Sequence, residues 1–126
     1  MLNNGTITAN LPAADLGRAR AFYADKLGLT PESEGPDGLF YRCGEGTRFL
    51  VFPSGGTASG THTQMTWNTS DIEATVADLK ARGVVFEEYD TSEVKTINSV
   101  ATLGQSKGAW FTDSEGNMLA LGQFDE

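Results

Sequence analysis

The chain has 126 residues, 39% of them apolar, which is enough for one hydrophobic core and too little for two. Nine Lys and Arg stand against 17 Asp and Glu, giving a formal charge of −8 and a pI near 4.5. That balance argues against a nucleic-acid partner, whose affinity rests on clustered cations, and suits neutral or cationic small ligands better than anionic ones. No secretion-type opening and no apolar run approaching the ~20 residues of a membrane span is present, so the expectation is a cytoplasmic protein with no membrane partner.

Residues 6–11 alternate polar and apolar side chains, the period of a strand with one face on a core, and Pro12 is expected to end it. Asp15 is a good N-cap for a helix carrying Leu16, Ala19, Phe22, Tyr23 and Leu27 at helical spacing, with Gly28 as its stop. Residues 39–43 and 48–52, bracketed by glycine-rich turns, read as hairpin-connected strands. Cys43, the only cysteine, excludes an intrachain disulfide or a CxxC motif and reads as a small, half-buried residue. Residues 53–60, P-S-G-G-T-A-S-G, are flexible by composition and fall where a link between two halves belongs.

The second half opens with an alternating run at 62–67. Ser70 or Asp71 then caps a helix with Ile72, Val76 and Leu79 on one face, closed by Arg82 and Gly83. Residues 84–86 read as a strand. The polar, irregular stretch 87–107 predicts a lid or binding loop, with Lys95 as a movable cation, Asn98 and Ser99 as adaptable donors, and an acidic patch at Glu87, Glu88, Asp90 and Glu93. Residues 109–112 and 118–121 are the last two strands, joined by a turn in which Gly116 and Asn117 suit positive φ. Trp67, Phe22 and Leu79 are expected in the core. Asn68-Thr69-Ser70 matches a glycosylation sequon but reads as helix capping.

The two halves repeat one pattern. Asp15 to Gly28 reads D-L-x-x-A-x-x-F-Y-x-x-x-L-G and Asp71 to Gly83 reads D-I-x-x-T-x-x-D-L-K-A-R-G, each after an extended run and before glycine-punctuated strands. Such a repeat implies pseudo-two-fold symmetry with a site between the copies. A βαβββ unit given twice, with D-x-x-G-N before the final strand, resembles the vicinal oxygen chelate superfamily of glyoxalase I, the extradiol dioxygenases, the fosfomycin-resistance thiol transferases and the bleomycin-binding proteins. The resemblance runs from about Thr6 to Gln123. It implies an α+β fold in one domain, 1–126, with modules at about 5–53 and 61–124, a linker at 54–60, and a half-barrel cleft of the glyoxalase/bleomycin-resistance type.

In metal-dependent members, ligands project from the first and last strands of each module. The resemblance carries these positions to Thr8, Gln64 and Ala120, with a fourth among the apolar residues 49–52. A catalytic divalent cation wants about three imidazole, carboxylate or thiolate ligands, so no metal and no other cofactor is expected. His62, the only histidine, reads as a partly solvated polar residue at a strand start; the sharper alternative is a displaced metal ligand or a general base.

The cavity itself then becomes the functional object. Strand alternation points Thr6, Thr8 and Asn10 inward from one strand, His62, Gln64 and Thr66 from its repeat, and Met118, Ala120 and Gly122 from the closing strand. That floor of hydroxyls and amides beside small apolar groups can orient a neutral ligand, or its polar groups can satisfy one another in a filled cleft. One aromatic from each of the pairs Trp110/Phe111, Phe40/Tyr41 and Phe49/Phe52 would form a wall, with Trp110 the foremost ligand contact. The sequence therefore reads as a metal-independent small-molecule binding protein, dimeric with a second copy, sequestering a drug or natural product as the bleomycin-binding members do. The alternatives are an enzyme of the same family, a lyase, isomerase or dioxygenase, with a shifted or degenerate metal site involving His62 and Gln64, and a domain whose cleft serves protein association.

Overall fold

Each half of the chain folds as strand, helix and then a run of strands. In the computed structural model, which describes residues 2–55 and 62–124, the first module comprises β1 (Thr8–Ala13), α1 (Leu16–Leu27), β2 (Ser33–Gly35), β3 (Gly38–Arg42) and β4 (Arg48–Pro53). The second comprises β5 (Met65–Asn68), α2 (Ile72–Ala81), β6 (Thr96–Ile97), β7 (Val100–Leu103), β8 (Ser106–Thr112) and β9 (Met118–Phe124). The sheets run β1-β4-β3-β2 and β5-β9-β8-β7-β6. In each, the first strand lies parallel to the last, β1 with β4 and β5 with β9, while the other neighbours are antiparallel. A parallel pair needs a long crossover, which the helix and the intervening strands supply. Most of the expected linker, 56–60, lies outside the described residues.

The two helices form for the same local reason. Asp15 accepts from the Arg18 amide at 3.0 Å and Asp71 from the Ala74 amide at 3.1 Å, each satisfying a free amide of the first turn. Gly28 takes the left-handed conformation (φ 70°), and the Leu29 amide reaches back to the Tyr23 carbonyl at 2.8 Å to close α1. The two helix C-termini also lie close to each other's cations. A methyl group built on Gly28 would stand 3.1 Å from Arg82 Nη1, and one built on Gly83 would stand 2.5 Å from Lys26 Nζ. Each helix thus lays a cation on the negative end of the other.

Several expectations are corrected. Pro12 lies inside β1, which runs from Thr8 to Ala13; β1 is an edge strand, where a missing amide leaves no ladder bond unmade. The second module's first strand begins at Met65, so His62 precedes it. Of 84–86 only Phe86 pairs, through a single bridge to Phe111. The stretch 87–107 is no lid, since it carries β6, β7 and the start of β8. Asn98 (φ 53°) and Ser99 (φ 71°) form the tight turn between β6 and β7, and buried Ser99 donates to the Glu88 carboxylate. Asn117 does not adopt positive φ; Gly116 alone does so in that turn.

One core serves both modules. Leu11, Tyr23, Tyr41, Phe49 and Val51 of the first half join Ile72, Val76, Phe86, Phe111 and Leu119 of the second in a single cluster. A run of ring contacts crosses it, from Tyr41 stacked on Phe49 at 4.8 Å, through Phe49 edge-on to Trp67 at 5.8 Å, to Phe86 against Phe111 at 5.4 Å. The helix-bearing faces of both sheets therefore share this core. Trp67 and Phe22 are only partly buried against it, and Leu79 is buried.

A polar joint pins the modules at the turn between β8 and β9. Asp113 Oδ1 accepts from the amides of Glu115 at 2.8 Å and Asn117 at 3.0 Å, and Oδ2 accepts from Tyr23 Oη at 2.8 Å and Asn117 Nδ2 at 2.9 Å. Asn117 Nδ2 also donates to the Pro12 carbonyl at 3.0 Å. Beside it, Glu115 accepts two bonds from the Arg18 guanidinium, at 2.7 and 3.0 Å, and one from the Asp15 amide at 3.0 Å. Hydrogen bonds from Arg18 are the main cause holding the Glu115 carboxyl down to about 2, against the desolvation that opposes them.

Tyr23→Phe removes one of the four donors to buried Asp113 and should cost about 1–3 kcal/mol. The Tyr41 hydroxyl, buried beside it, has no hydrogen-bond partner among the described residues, so Tyr41→Phe should leave stability unchanged or raise it by up to about 1 kcal/mol. Urea unfolding of the two variants side by side checks the contrast. The folded Glu115 pKa lies below its unfolded value of 4.5, so the unfolded state binds more protons as the medium is acidified. The stability it contributes is complete above about pH 5 and is lost as pH falls toward 2. Glu115→Gln should flatten the unfolding free energy over that window; an unchanged acid limb would refute the assignment.

Candidate functional site

With the helix-bearing faces turned to the core, each sheet presents an opposite face free of helices. On the second sheet, register places Thr66 beside Ala120 and Ala120 beside Trp110, so three of the expected lining residues form one row across β5, β9 and β8. The next row is Asn68, Gly122, Gly108 and Ala101. Its small residues leave space that large neighbours cover. A methyl group on Gly108 would stand 3.0 Å from the Trp110 indole, and one on Gly122 would stand 2.8 Å from the Phe124 ring. Trp110 therefore lies down over Gly108, and Tyr89 meets it edge-on at 5.6 Å.

Trp110 and Tyr89 wall a pocket of about 240 Å³ completed by His62, Thr63, Thr91 and Val94. His62 and Trp110 are thus brought together, although His62 is exposed and outside the strand. Gln64 sits differently. Its Oε1 accepts from the Met118 amide at 3.1 Å and its Nε2 donates to Asn117 Oδ1 at 3.0 Å, so the side chain extends the sheet and buttresses the joint. Met118 and Ala120 are buried beneath this face.

The first sheet's helix-free face carries Thr8 and Asn10, with Arg48 beside Thr8 and Leu50 beside Asn10. The Arg48 guanidinium lies 4.8 Å from the centre of the Phe40 ring. Thr6 is exposed and precedes β1. The aromatic pairs resolve by alternation: Phe111, Tyr41 and Phe49 enter the core, while Trp110, Phe40 and Phe52 take the opposite faces. Thr63 and Gly108 were not legible as site residues, and Tyr89, Thr91 and Val94 were legible only as part of the stretch 87–107 expected to be a lid or binding loop. Of the first two, only Gly108 left a signal, a glycine two residues before a tryptophan on one strand.

The positions carried over for metal ligands now have defined chemistry. Thr8 offers a hydroxyl, Ala120 a methyl group, and Gln64 an amide engaged at both ends. That set does not fit a resident divalent cation, which draws on imidazole, carboxylate or thiolate donors. Among the described residues no three His, Cys, Asp or Glu side chains converge, and no helix is long and apolar enough to cross a membrane.

Two modules of βαβββ plan, the second with the two-residue β6 added, each with its first and last strands parallel, define the paired-module architecture of the vicinal oxygen chelate proteins. A model of the Glyoxalase/Bleomycin resistance protein/Dioxygenase superfamily matches residues 6–121, and the chain belongs to that superfamily. No curated protein sequence matches it. Solved structures with the same fold include TnmS3, an antibiotic binding protein from Streptomyces sp. CB03234, at 21% identity and TM-score 0.63, covering 99% of both chains. A glyoxalase/bleomycin resistance protein from Catenulispora acidiphila DSM 44928 aligns at 20% identity and TM-score 0.67, over 95% of this chain and 98% of that one. Lactoylglutathione lyase from Agrobacterium tumefaciens aligns at 20% identity and TM-score 0.66, over 95% and 93%.

The seating of Trp110 can be checked directly. Gly108→Ala places a methyl group against the far edge of the indole, which must lift while the sheet remains. The expected result is a changed near-ultraviolet circular dichroism and greater quenching of Trp110 by acrylamide, with a stability loss of no more than about 1–2 kcal/mol. An unaltered indole environment would refute the stacking.

Proposed function

We propose that this chain is a metal-independent small-molecule binding protein whose ligand lies against Trp110 on the helix-free face of the second module, and that it sequesters that molecule without transforming it. The observation that carries the reading is the placement of the indole, with glycine beneath it and Tyr89 at its edge. A large ring fixed before the ligand arrives is a wall for a planar partner, because little side-chain freedom is lost on binding. Thr63, Thr91 and His62 supply polar groups around it, and Thr66 stands in its cross-strand row. A planar natural product or drug suits this lining, and the antibiotic binding named for TnmS3 supports that class.

A second copy of the chain completes the site. Each helix-free face is one half of a cleft, and the second carries Phe124, an aromatic residue 60% exposed at the end of β9. Pairing the first module of one copy with the second module of another would bring Arg48 and Phe40 opposite Trp110 and cover Phe124. The protomer is 13.4 kDa, so sedimentation should report twice that mass. The location that goes with this role is the cytoplasm.

A second reading, an enzyme of the superfamily, is favoured by one observation: His62, a group able to move a proton, lines the same pocket as Trp110. One experiment separates the two. In Trp67→Phe, Trp110 is the only tryptophan, and 1,8-dihydroxyanthraquinone should quench it saturably; Trp110→Ala should weaken binding of that probe, followed by calorimetry, about tenfold or more. Recovery of the probe unchanged by mass spectrometry supports sequestration, and conversion that disappears in His62→Ala supports the enzyme. Absence of saturable quenching in the folded protein by this probe and by a panel of planar polycyclic aromatics would overturn both.

A further inference from the structure

The wall that Tyr89, Thr91 and Val94 bring to Trp110 is carried on a loop, and the loop is held at its base. Glu87 is tied to β8, its amide donating to the Trp110 carbonyl at 2.8 Å, and the chain then runs out to β6, the edge strand of the sheet. Tyr89 is fixed from that edge. Its amide donates to Thr96 Oγ1 at 2.9 Å and its carbonyl accepts from the Thr96 amide at 2.8 Å. Between these two residues the loop closes on itself: Asp90 bridges to Lys95, and the Thr91 hydroxyl accepts from the Val94 amide at 2.9 Å and donates to the Val94 carbonyl at 3.0 Å. Thr91 and Val94 therefore move as one unit. The direction in which that unit faces is decided where Tyr89 meets Thr96.

Glu88 stands at this base, exposed and beside the residues that line the pocket. Its two carboxylate oxygens take separate partners, Oε1 accepting from Thr96 Oγ1 at 2.7 Å and Oε2 accepting from Ser99 Oγ. Ser99 is fully buried in the turn between β6 and β7, which makes it a fixed anchor. Thr96 has a single hydroxyl proton, and giving it to Glu88 leaves a lone pair for the Tyr89 amide. Without the carboxylate, the same proton has the Tyr89 carbonyl, 3.3 Å away, as its alternative. The hydrogen bonds from Ser99 and Thr96 also hold the Glu88 carboxyl below the ordinary carboxylate range, so its acceptor form is favoured. Building on the reading of the Trp110 face as a ligand site, we propose that Glu88 is its positioning residue: by clasping Ser99 and Thr96 it fixes the backbone of Tyr89, so that the Tyr89 ring stands at the edge of the indole before a ligand arrives. A wall set in advance loses less freedom on binding.

In the Trp67→Phe background Trp110 is the only tryptophan, and its quenching by acrylamide reports the wall in the absence of any ligand. Glu88→Ala and Thr96→Val should both raise that quenching, whereas Thr96→Ser, which keeps the hydroxyl, should leave it near its starting value. Affinity for 1,8-dihydroxyanthraquinone should fall about three- to tenfold in the same two variants and be retained in Thr96→Ser. Because Glu88 acts through Tyr89, adding Glu88→Ala to Tyr89→Ala should change neither readout further. Thermal unfolding confirms that each variant is folded. Unchanged quenching in folded Glu88→Ala, or a loss of affinity that adds in full to that of Tyr89→Ala, would overturn the proposal. Raised quenching in Glu88→Ala with no saturable binding of the probe before the substitution would uphold the clasp on Tyr89 and remove the ligand reading of this face.

Discussion

The carboxylate of Asp113 is the constraint on which the arrangement of the two modules rests. It is buried, and its oxygens receive four donors: two amides of its own turn, the Asn117 amide group and the Tyr23 hydroxyl of the other module. A buried charge of this kind is tolerable only when its hydrogen bonds are complete, and completing them requires α1 and β1 to sit where they do. The Tyr23 hydroxyl reaches Asp113 from the core side, and Asn117 reaches the Pro12 carbonyl from the strand side. The turn between β8 and β9 thereby sets the relation of the first sheet to the second, and with it the directions in which the helix-free faces point.

This explains why the D-x-x-G-N signature could be recognised in the sequence but not understood from it. Asn117 suggested a positive-φ turn residue, whereas Gly116 supplies that conformation and Asn117 supplies a fully buried amide that ties three segments together. Periodicity and caps are local signals, and both helices, with Asp15 and Asp71 at their starts, were legible for that reason. So was the alternation that sends Phe111 inward and Trp110 outward. The stretch 87–107 was not legible, because β6 and β7 are very short and their hairpin turns lie within a polar run that lacks the alternation of a half-buried strand. The individual role of Tyr89 was not legible because its ring contact is with Trp110, 21 positions away in the chain.

The candidate site was half legible. The row Thr66, Ala120 and Trp110 follows from strand period and register, whereas Gln64, just before β5 begins, turns to the Asn117 joint. Alternation gives the face on which a side chain starts; hydrogen-bond demand at the strand end decides where its polar end finishes. Thr6 and His62 fall beyond the ends of their strands, where alternation ceases to apply.

The same residue types that fail as metal ligands shape what the second face can hold. A metal site needs ionised or imidazole donors converging from several strands, and those donors carry charge and water. Here Ala120, Gly122 and Gly108 form a floor without side-chain charge, and the volume they leave is occupied by Trp110 and Phe124 laid over it. Small residues in the floor and large rings above it are two parts of one arrangement, since a larger residue at Gly108 would lift the indole. The face offers apolar surface and shape, with hydroxyls at its margin. Elsewhere in the fold, Glu115 and Asp113 serve the joint, and Lys26 and Arg82 lie at the helix ends. An acidic protein can thus present an apolar, aromatic face, because its buried charges are spent on holding the modules together.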